Sequence, residues 1–232
     1  MSYFNPDKED ISPLARTLII IMRIFLLVSG IFILIFGGAN GSERIFGLLI
    51  LIALILINAP AYFTKGKMAI PVEIELIFLS MVLFELVGGD ALGLYVKLPH
   101  YDNFMHFMLP LYVALIGMMI VYTMYFYGKL KASYGAMVFI IVLLTIGLGG
   151  VLEMGEYTYD TYLANGPIGQ ITGNTQMQGS PTQNGLNDTM NDLFMDTAGG
   201  IVGALLGIWL IRRNEKNGEH WKIADKLEHM QN

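Results

Sequence analysis

Residues 187–213 read NDTMNDLFMDTAGGIVGALLGIWLIRR. Asp188, Asp192 and Asp196 stand four residues apart, which on a helix places them on one face. Thr197 to Ile211 carries no charge, and Arg212-Arg213 closes the run. A long apolar segment ended by basic residues reads as a membrane-crossing helix. Carrying acids into such a helix is costly, so chains seldom keep them there without a use. The acid face is therefore one wall of a polar site, and other spans must supply the rest.

Composition agrees with a membrane class. The 232 residues are 54% hydrophobic and 14% charged, with a mean hydropathy of +0.56. A soluble domain has about 25% charged residues. The net charge of −5 says little about partners, and the Lys and Arg residues sit at segment ends rather than in a nucleic-acid-binding stripe. The absence of cysteine excludes disulfides, thiolate metal sites and cysteine nucleophiles. Fifteen Met and twenty-five Phe plus Tyr suit lipid-facing and interhelical packing.

The expected fold is all-α, a polytopic membrane protein with six transmembrane helices in one bundle. Residues 1–16 form a cytoplasmic N-terminal segment, 17–211 the membrane domain and 212–232 a charged cytoplasmic tail. The spans fall at about 17–36, 45–63, 69–89, 104–127, 134–157 and 190–211, with an outer loop at 158–189. The first span is longer than a signal-peptide core and no clear cleavage site precedes Ser42, so it reads as an anchor. The tail can form a short amphipathic helix around Trp221, Ile223, Ala224 and Leu227. No internal repeat of the kind many transporters show is visible.

Charge sets the orientation. With both termini cytoplasmic, eleven of the fourteen Lys and Arg residues lie inside, Lys65, Lys67, Lys129, Lys131, Arg212 and Arg213 among them. Arg44 and Lys97 fall outside, and Arg23 lies within the first span, paired with Glu73 or Glu75 or snorkelling.

Orientation gathers the polar residues. Glu85, His106, Glu153 and Asp196 all lie roughly 5–10 Å below the outer boundary at about 1.5 Å per residue. Asp102 and His106 are i,i+4, so the carboxylate can orient the imidazole or share a ligand with it. Glu153 and Glu156 are i,i+3, again one face. Gly199, Gly203 and Gly207 continue the acid stripe, with Gly200 beside it, and Gly147, Gly149 and Gly150 of the fifth span are expected to meet them at a tight helix contact. Clustered carboxylates in a poorly hydrated pocket either carry protons or are neutralised by a cation. One imidazole with several oxygens suits Zn, Mn, Fe(II) or Mg.

The roles expected are His106, Glu153 and Asp192 as metal ligands, Glu156 as the catalytic base, and Asp102, Asp188, Asp196 and Glu85 as supporting groups. Structural roles stand beside these: Asp188 with Asn187 capping the last span, His106 at an interface, Glu85 reaching toward headgroups. No His-Glu-x-x-His pair, Gly-x-Ser-x-Gly elbow or Walker loop is present.

The motifs Tyr101-Asp102-x-x-x-His106-Phe107, Glu153-x-x-Glu156-Tyr157 and Asp188-Thr189-x-x-Asp192-Leu193, with the glycine-rich helix, resemble the YjdF-like family of bacterial inner-membrane proteins. The Asp-x-x-x-His opening and the Asp-x-x-x-(Asn/Asp)-x-x-Gly close are also similar to VanZ-like proteins, with two departures. Asn103 stands where those have a basic residue, and Asp196 where they have Asn. The resemblance covers roughly residues 70–210 and implies a role for Asp102, His106, Glu153, Glu156, Asp188, Asp192 and Asp196. It implies a bacterial plasma-membrane location and no single activity, although VanZ-like members are associated with glycopeptide resistance.

The expectation is a multi-pass protein with an outward-facing acidic/His pocket that binds a divalent metal ion and acts on an amphiphilic or envelope-derived substrate. Its partners would be membrane lipids and an amphiphilic ligand in the outer leaflet, with no nucleic acid. As an enzyme it would be a metal-dependent membrane hydrolase or transferase. The alternatives are a proton- or cation-coupled transporter and a non-catalytic envelope or lipid-binding factor. Below Asp196 the sixth span is apolar and glycine-rich, which favours a one-sided pocket over a through-path.

Overall fold

The computed structural model describes residues 12–38, 43–64, 70–172, 177–178, 184–218 and 221–229. Most of the N-terminal segment, the basic turn at Lys65 and Lys67, and parts of the 37–44 turn, the 158–189 loop and the tail lie outside the described residues. Among the described residues every regular element is helical. Five of the described helices are long and apolar enough to cross a membrane. The chain divides into two compact units, Met1–Pro99 with Lys226–Asn232, and His100–Asp225.

The first unit begins with α1 (Pro13–Phe36) and α2 (Arg44–Phe63). Ser12 caps α1 by accepting from the Ala15 amide at 3.1 Å, and Pro13 takes the first helical position, where its missing N–H costs nothing. The third helical stretch runs as α3 (Val72–Val82) and widens into a π-helical extension over Leu83–Ala91. Its continuous helix spans the segment expected as the third crossing, but with Glu73, Glu75, Glu85 and Asp90 it is not one of the five. A short helix, α4 (Leu94–Lys97), adds structure to a stretch expected as loop.

Ile19, Leu26, Ile50, Leu79 and Val82 form the apolar centre of this unit. Beside it lies a polar contact. Arg23 donates from Nε to Glu75 Oε1 at 2.5 Å and from Nη1 to Asn58 Oδ1 at 2.8 Å. Arg23 therefore takes Glu75, whereas Glu73 pairs with Lys226 at 3.0 Å.

The second unit holds α5 (Tyr101–Phe126), α6 (Tyr134–Thr158), α7 (Pro167–Thr172), α8 (Gly185–Lys216) and the start of α9 (Ile223–His229). A π-helical turn over Tyr159–Leu163 prolongs α6. The polar stretch expected as a loop is thus helical again at both ends, with Pro167 opening α7 in the position proline prefers. Asn184 caps α8 by accepting from the Asn187 amide at 2.9 Å, so the helix begins at Gly185 rather than Met190. This corrects the capping role weighed for Asn187 and Asp188, which fall inside the first turn. At about 1.5 Å per residue, α8 is about 48 Å long, more than the roughly 30 Å hydrocarbon thickness.

Glycines let α8 lie close to both neighbours. A Cβ on Gly199 would strike the carbonyl of Phe107, and one on Gly203 would strike that of Leu111. A Cβ on Gly207 would strike the Met118 side chain, and one on Gly200 the Thr145 hydroxyl. On α6, a Cβ at Gly149 would overlap the Asp196 carboxylate, whereas Gly147 and Gly150 have nothing within 4 Å. The expected glycine-to-glycine contact is corrected accordingly. The stripe faces the α5 backbone, because only bare helix surface can approach carbonyls so closely. Below these contacts Met118, Tyr122, Met137, Ile141, Ala204 and Ile211 close the core. Ala224 at the start of α9 packs against the same cluster, as the amphipathic reading of the tail anticipates.

Candidate functional site

Three helices of the second unit bring their ionisable residues together. Tyr101 opens α5, and one turn later His106 points inward, 6% exposed. Pro110 follows at i+4 and has no N–H to donate to the His106 carbonyl, so the helix ladder is interrupted at the histidine. On α6, Glu153 is 4% exposed and Glu156 half-buried. On α8, Asp192 and Asp196 are 1% and 2% exposed, and Asp188 is half-buried on the same face.

The imidazole is engaged at both nitrogens. Nδ1 lies 3.2 Å from Asp196 Oδ1, and Nε2 lies 3.7 Å from Asp102 Oδ1. Two groups of ligating atoms follow among the described residues, each with all members within 4.8 Å of one another. One is Asp102, His106 and Asp192; the other is His106, Glu153 and Glu156. The expected ligand set of His106, Glu153 and Asp192 is thus divided between two groups that share the histidine. Asp102, expected as a supporting group, joins the first, and Glu156, expected as a base, joins the second. Asp196 stands in neither and orients the ring. Both groups are made of second-unit residues. Glu85 belongs to the first unit, where it accepts from the Tyr95 hydroxyl at 2.8 Å.

The carboxylates are incompletely satisfied. Glu153 Oε1, Asp192 Oδ1 and Asp196 Oδ2 are buried and accept no hydrogen bond among the described residues. Nor, among those residues, does a Lys or Arg pair with Asp102, Glu153, Glu156, Asp192 or Asp196. A buried polar oxygen without a donor is expensive, and a buried charge more so. Two of these oxygens, on Glu153 and Asp192, belong to carboxylates grouped with the imidazole, an environment that a cation or protons would complete.

Sequence reasoning missed Thr189, Gln178 and Asp160. Gln178 Nε2 donates to Thr189 Oγ1 at 3.0 Å and reaches Glu153 Oε2 at 3.4 Å. Asp160 accepts from the backbone amides of Met177 and Gln178 at 2.8 and 2.7 Å. Asp160 follows Glu153 and Glu156 at i+7 and i+4, a helical spacing that would have joined it to the site. Gln178 lies in a stretch without periodicity, so no local signal marks it.

A family model described as "Predicted membrane protein (DUF2238)" matches residues 15–213, and the chain belongs to that family. No curated protein and no solved structure matches it. Family and fold agree on a multi-pass membrane protein with several apolar helices.

Proposed function

We propose that this DUF2238 member binds a divalent cation in the pocket between α5, α6 and α8, as a multi-pass protein of a bacterial inner membrane. The observation that carries this reading is the pair of orphaned oxygens on Glu153 and Asp192, each on a carboxylate grouped with His106. The donor set, one imidazole and several carboxylates, fits Zn, Mn, Fe(II) or Mg. With Asp196 accepting at Nδ1, the imidazole keeps its proton there and turns Nε2 toward the ligand side. Histidines that bind metals are commonly oriented by a carboxylate in this way.

The motifs shared with YjdF-like and, more distantly, VanZ-like proteins support the same residues. The lysine and arginine asymmetry supports a six-crossing arrangement with α3 and its extension as the third, both termini cytoplasmic and the pocket facing outward. A pocket in the outer half of the membrane suits an amphiphilic or envelope-derived substrate. There a bound metal would polarise the substrate or its attacking water. Glu156, half-buried beside Glu153, is the group we assign as base.

The transporter reading is less well supported. Past Asp196, Gly199, Gly200 and Gly203 are packed against Phe107, Thr145 and Leu111, leaving little room for a polar path.

Elemental analysis of purified wild type beside His106→Ala and Glu153→Ala tests the proposal. Wild type is expected to carry the metal, after reconstitution with Zn2+ where needed, and both variants to lose it. A wild type that takes up no metal would sink the cation reading. Ion flux in proteoliposomes that disappears in Asp196→Asn would promote the transporter instead.

A further inference from the structure

Asp160 stands in the π-helical turn beyond α6, and both of its carboxylate oxygens are engaged. Oδ1 accepts from the Met177 amide and Oδ2 from the Gln178 amide, at 2.8 and 2.7 Å. Two consecutive amides on one carboxylate are charge-assisted bonds that hold the backbone at 177–178 in one place. From that anchor the Gln178 side chain turns back toward α6 and α8. Its Nε2 lies 3.0 Å from Thr189 Oγ1, 3.3 Å from the Glu153 carbonyl and 3.4 Å from Glu153 Oε2. An amide nitrogen has two hydrogens, so the three acceptors share them.

The two oxygens of Glu153 are thereby made unequal. Oε2 is tied to Gln178, and Oε1 is buried and accepts no hydrogen bond among the described residues.

We infer that Asp160 and Gln178 are positioning residues that select the cation: Asp160 anchors the backbone at 177–178, and Gln178 holds Glu153 by Oε2 so that the cation receives Oε1 alone. The inference rests on the cation reading above. A carboxylate that offers one oxygen favours small ions of low coordination number such as Zn2+. Ca2+ takes more oxygens and commonly a two-oxygen carboxylate, so a restrained Glu153 disfavours it. Neither Gln178 nor Asp160 is a ligand in this arrangement; each acts through Glu153.

The test is calorimetric titration of the detergent-purified protein with Zn2+ and with Ca2+. Wild type, Gln178→Met, Asp160→Asn and the double variant are compared. Loss of the restraint is expected to weaken Zn2+ about tenfold, as for other residues that orient metal ligands. Ca2+ affinity is expected to hold or rise, so the Zn2+/Ca2+ preference falls. The double variant is expected to match the weaker single one, because both substitutions release the same contact. Equal weakening of both ions would mark a structural role and overturn the inference, as would unchanged affinities. A wild type that binds Zn2+ while the variants keep its preference sinks this inference alone. A wild type that binds no Zn2+ sinks the cation reading and this inference with it. If Gln178→Met fails to fold, Asp160→Asn, which alters only the acceptor of the Met177 and Gln178 amides, carries the same comparison.

Discussion

The Asp196 carboxylate on α8 rests against Gly149 on α6, where any Cβ would overlap Oδ2. Through its other oxygen the same side chain meets His106 Nδ1 on α5 at 3.2 Å. One buried acid thus joins three helices, and the absence of a side chain at Gly149 is what gives it room.

Gly149→Ala is expected to displace Asp196 and to cost about 1–3 kcal/mol, the usual range for overfilling a packed interior. Gly147→Ala and Gly150→Ala meet open space inside α6 and are expected to hold stability or raise it by up to about 1 kcal/mol, the gain of alanine over glycine in a helix. Thermal unfolding of the three variants in one detergent separates the cases. Equal losses in all three would show that helix flexibility, rather than the Asp196 contact, requires glycine.

The glycine stripe should be graded by what each residue faces. Gly199→Ala and Gly203→Ala drive a methyl group into the Phe107 and Leu111 carbonyls, which cannot move without moving α5. Gly207→Ala meets buried Met118 at Cγ and Cβ; a turn about χ1 moves the Cγ but not the Cβ, so its cost is expected to be smaller than that of Gly199→Ala and still substantial. Denaturation midpoints in mixed micelles should follow that order; Gly207 as the most sensitive position would contradict it.

Asp196→Asn keeps the shape of the side chain but weakens its hold on the imidazole. Zn2+ affinity is expected to fall about 10- to 100-fold, in line with other residues that orient a ligating histidine. His106→Ala, which removes the residue common to both groups, is expected to lose binding altogether. Wild type at a free Zn2+ concentration of about 100 times Kd should gain about 2.7 kcal/mol of stability, and chelation should remove it. A melting temperature indifferent to Zn2+ and chelator would count against the site.

In the first unit, Glu75→Leu removes the carboxylate from the Arg23 guanidinium, which keeps its bond to Asn58, and is expected to cost about 1–3 kcal/mol, the loss typical of a hydrogen bond to a charged group. Arg23→Leu combined with Glu75→Leu should recover much of it, because no uncompensated charge remains. A double variant as unstable as the single one would indicate that Asn58 and the charge pair form a unit that cannot be replaced by apolar packing.

Topology has a direct assay because the chain contains no cysteine. In intact cells, Asn165→Cys in the expected outer loop should react with a membrane-impermeant maleimide. Asn217→Cys at the end of α8 should react only after permeabilisation. The reverse pattern would invert the orientation and the direction in which the pocket opens.

Which stretches are apolar helices was readable along the chain, because a membrane crossing needs about twenty apolar residues in a row and that is a local property. Acid spacing was equally legible. Asp192 and Asp196 share a face because helical period follows from sequence separation, and both prove buried. The third crossing was harder to read, since its helix carries four acids and widens into π turns that no periodicity announces.

Depth along parallel helices also had to come from counting residues, and counting placed His106, Glu153 and Asp196 at one level. It could not say which atoms meet. That depends on how each helix is rotated about its axis and how closely it approaches the next. Bare surface at Gly149 and Gly199 decides those quantities through contacts between residues far apart in the chain. The amino-acid sequence by itself determined a helical membrane protein with buried acids near one histidine. Only the tertiary structure decided that His106 is shared between two groups, that Asp196 orients it, and that Gln178 reaches Glu153 from a segment with no pattern of its own.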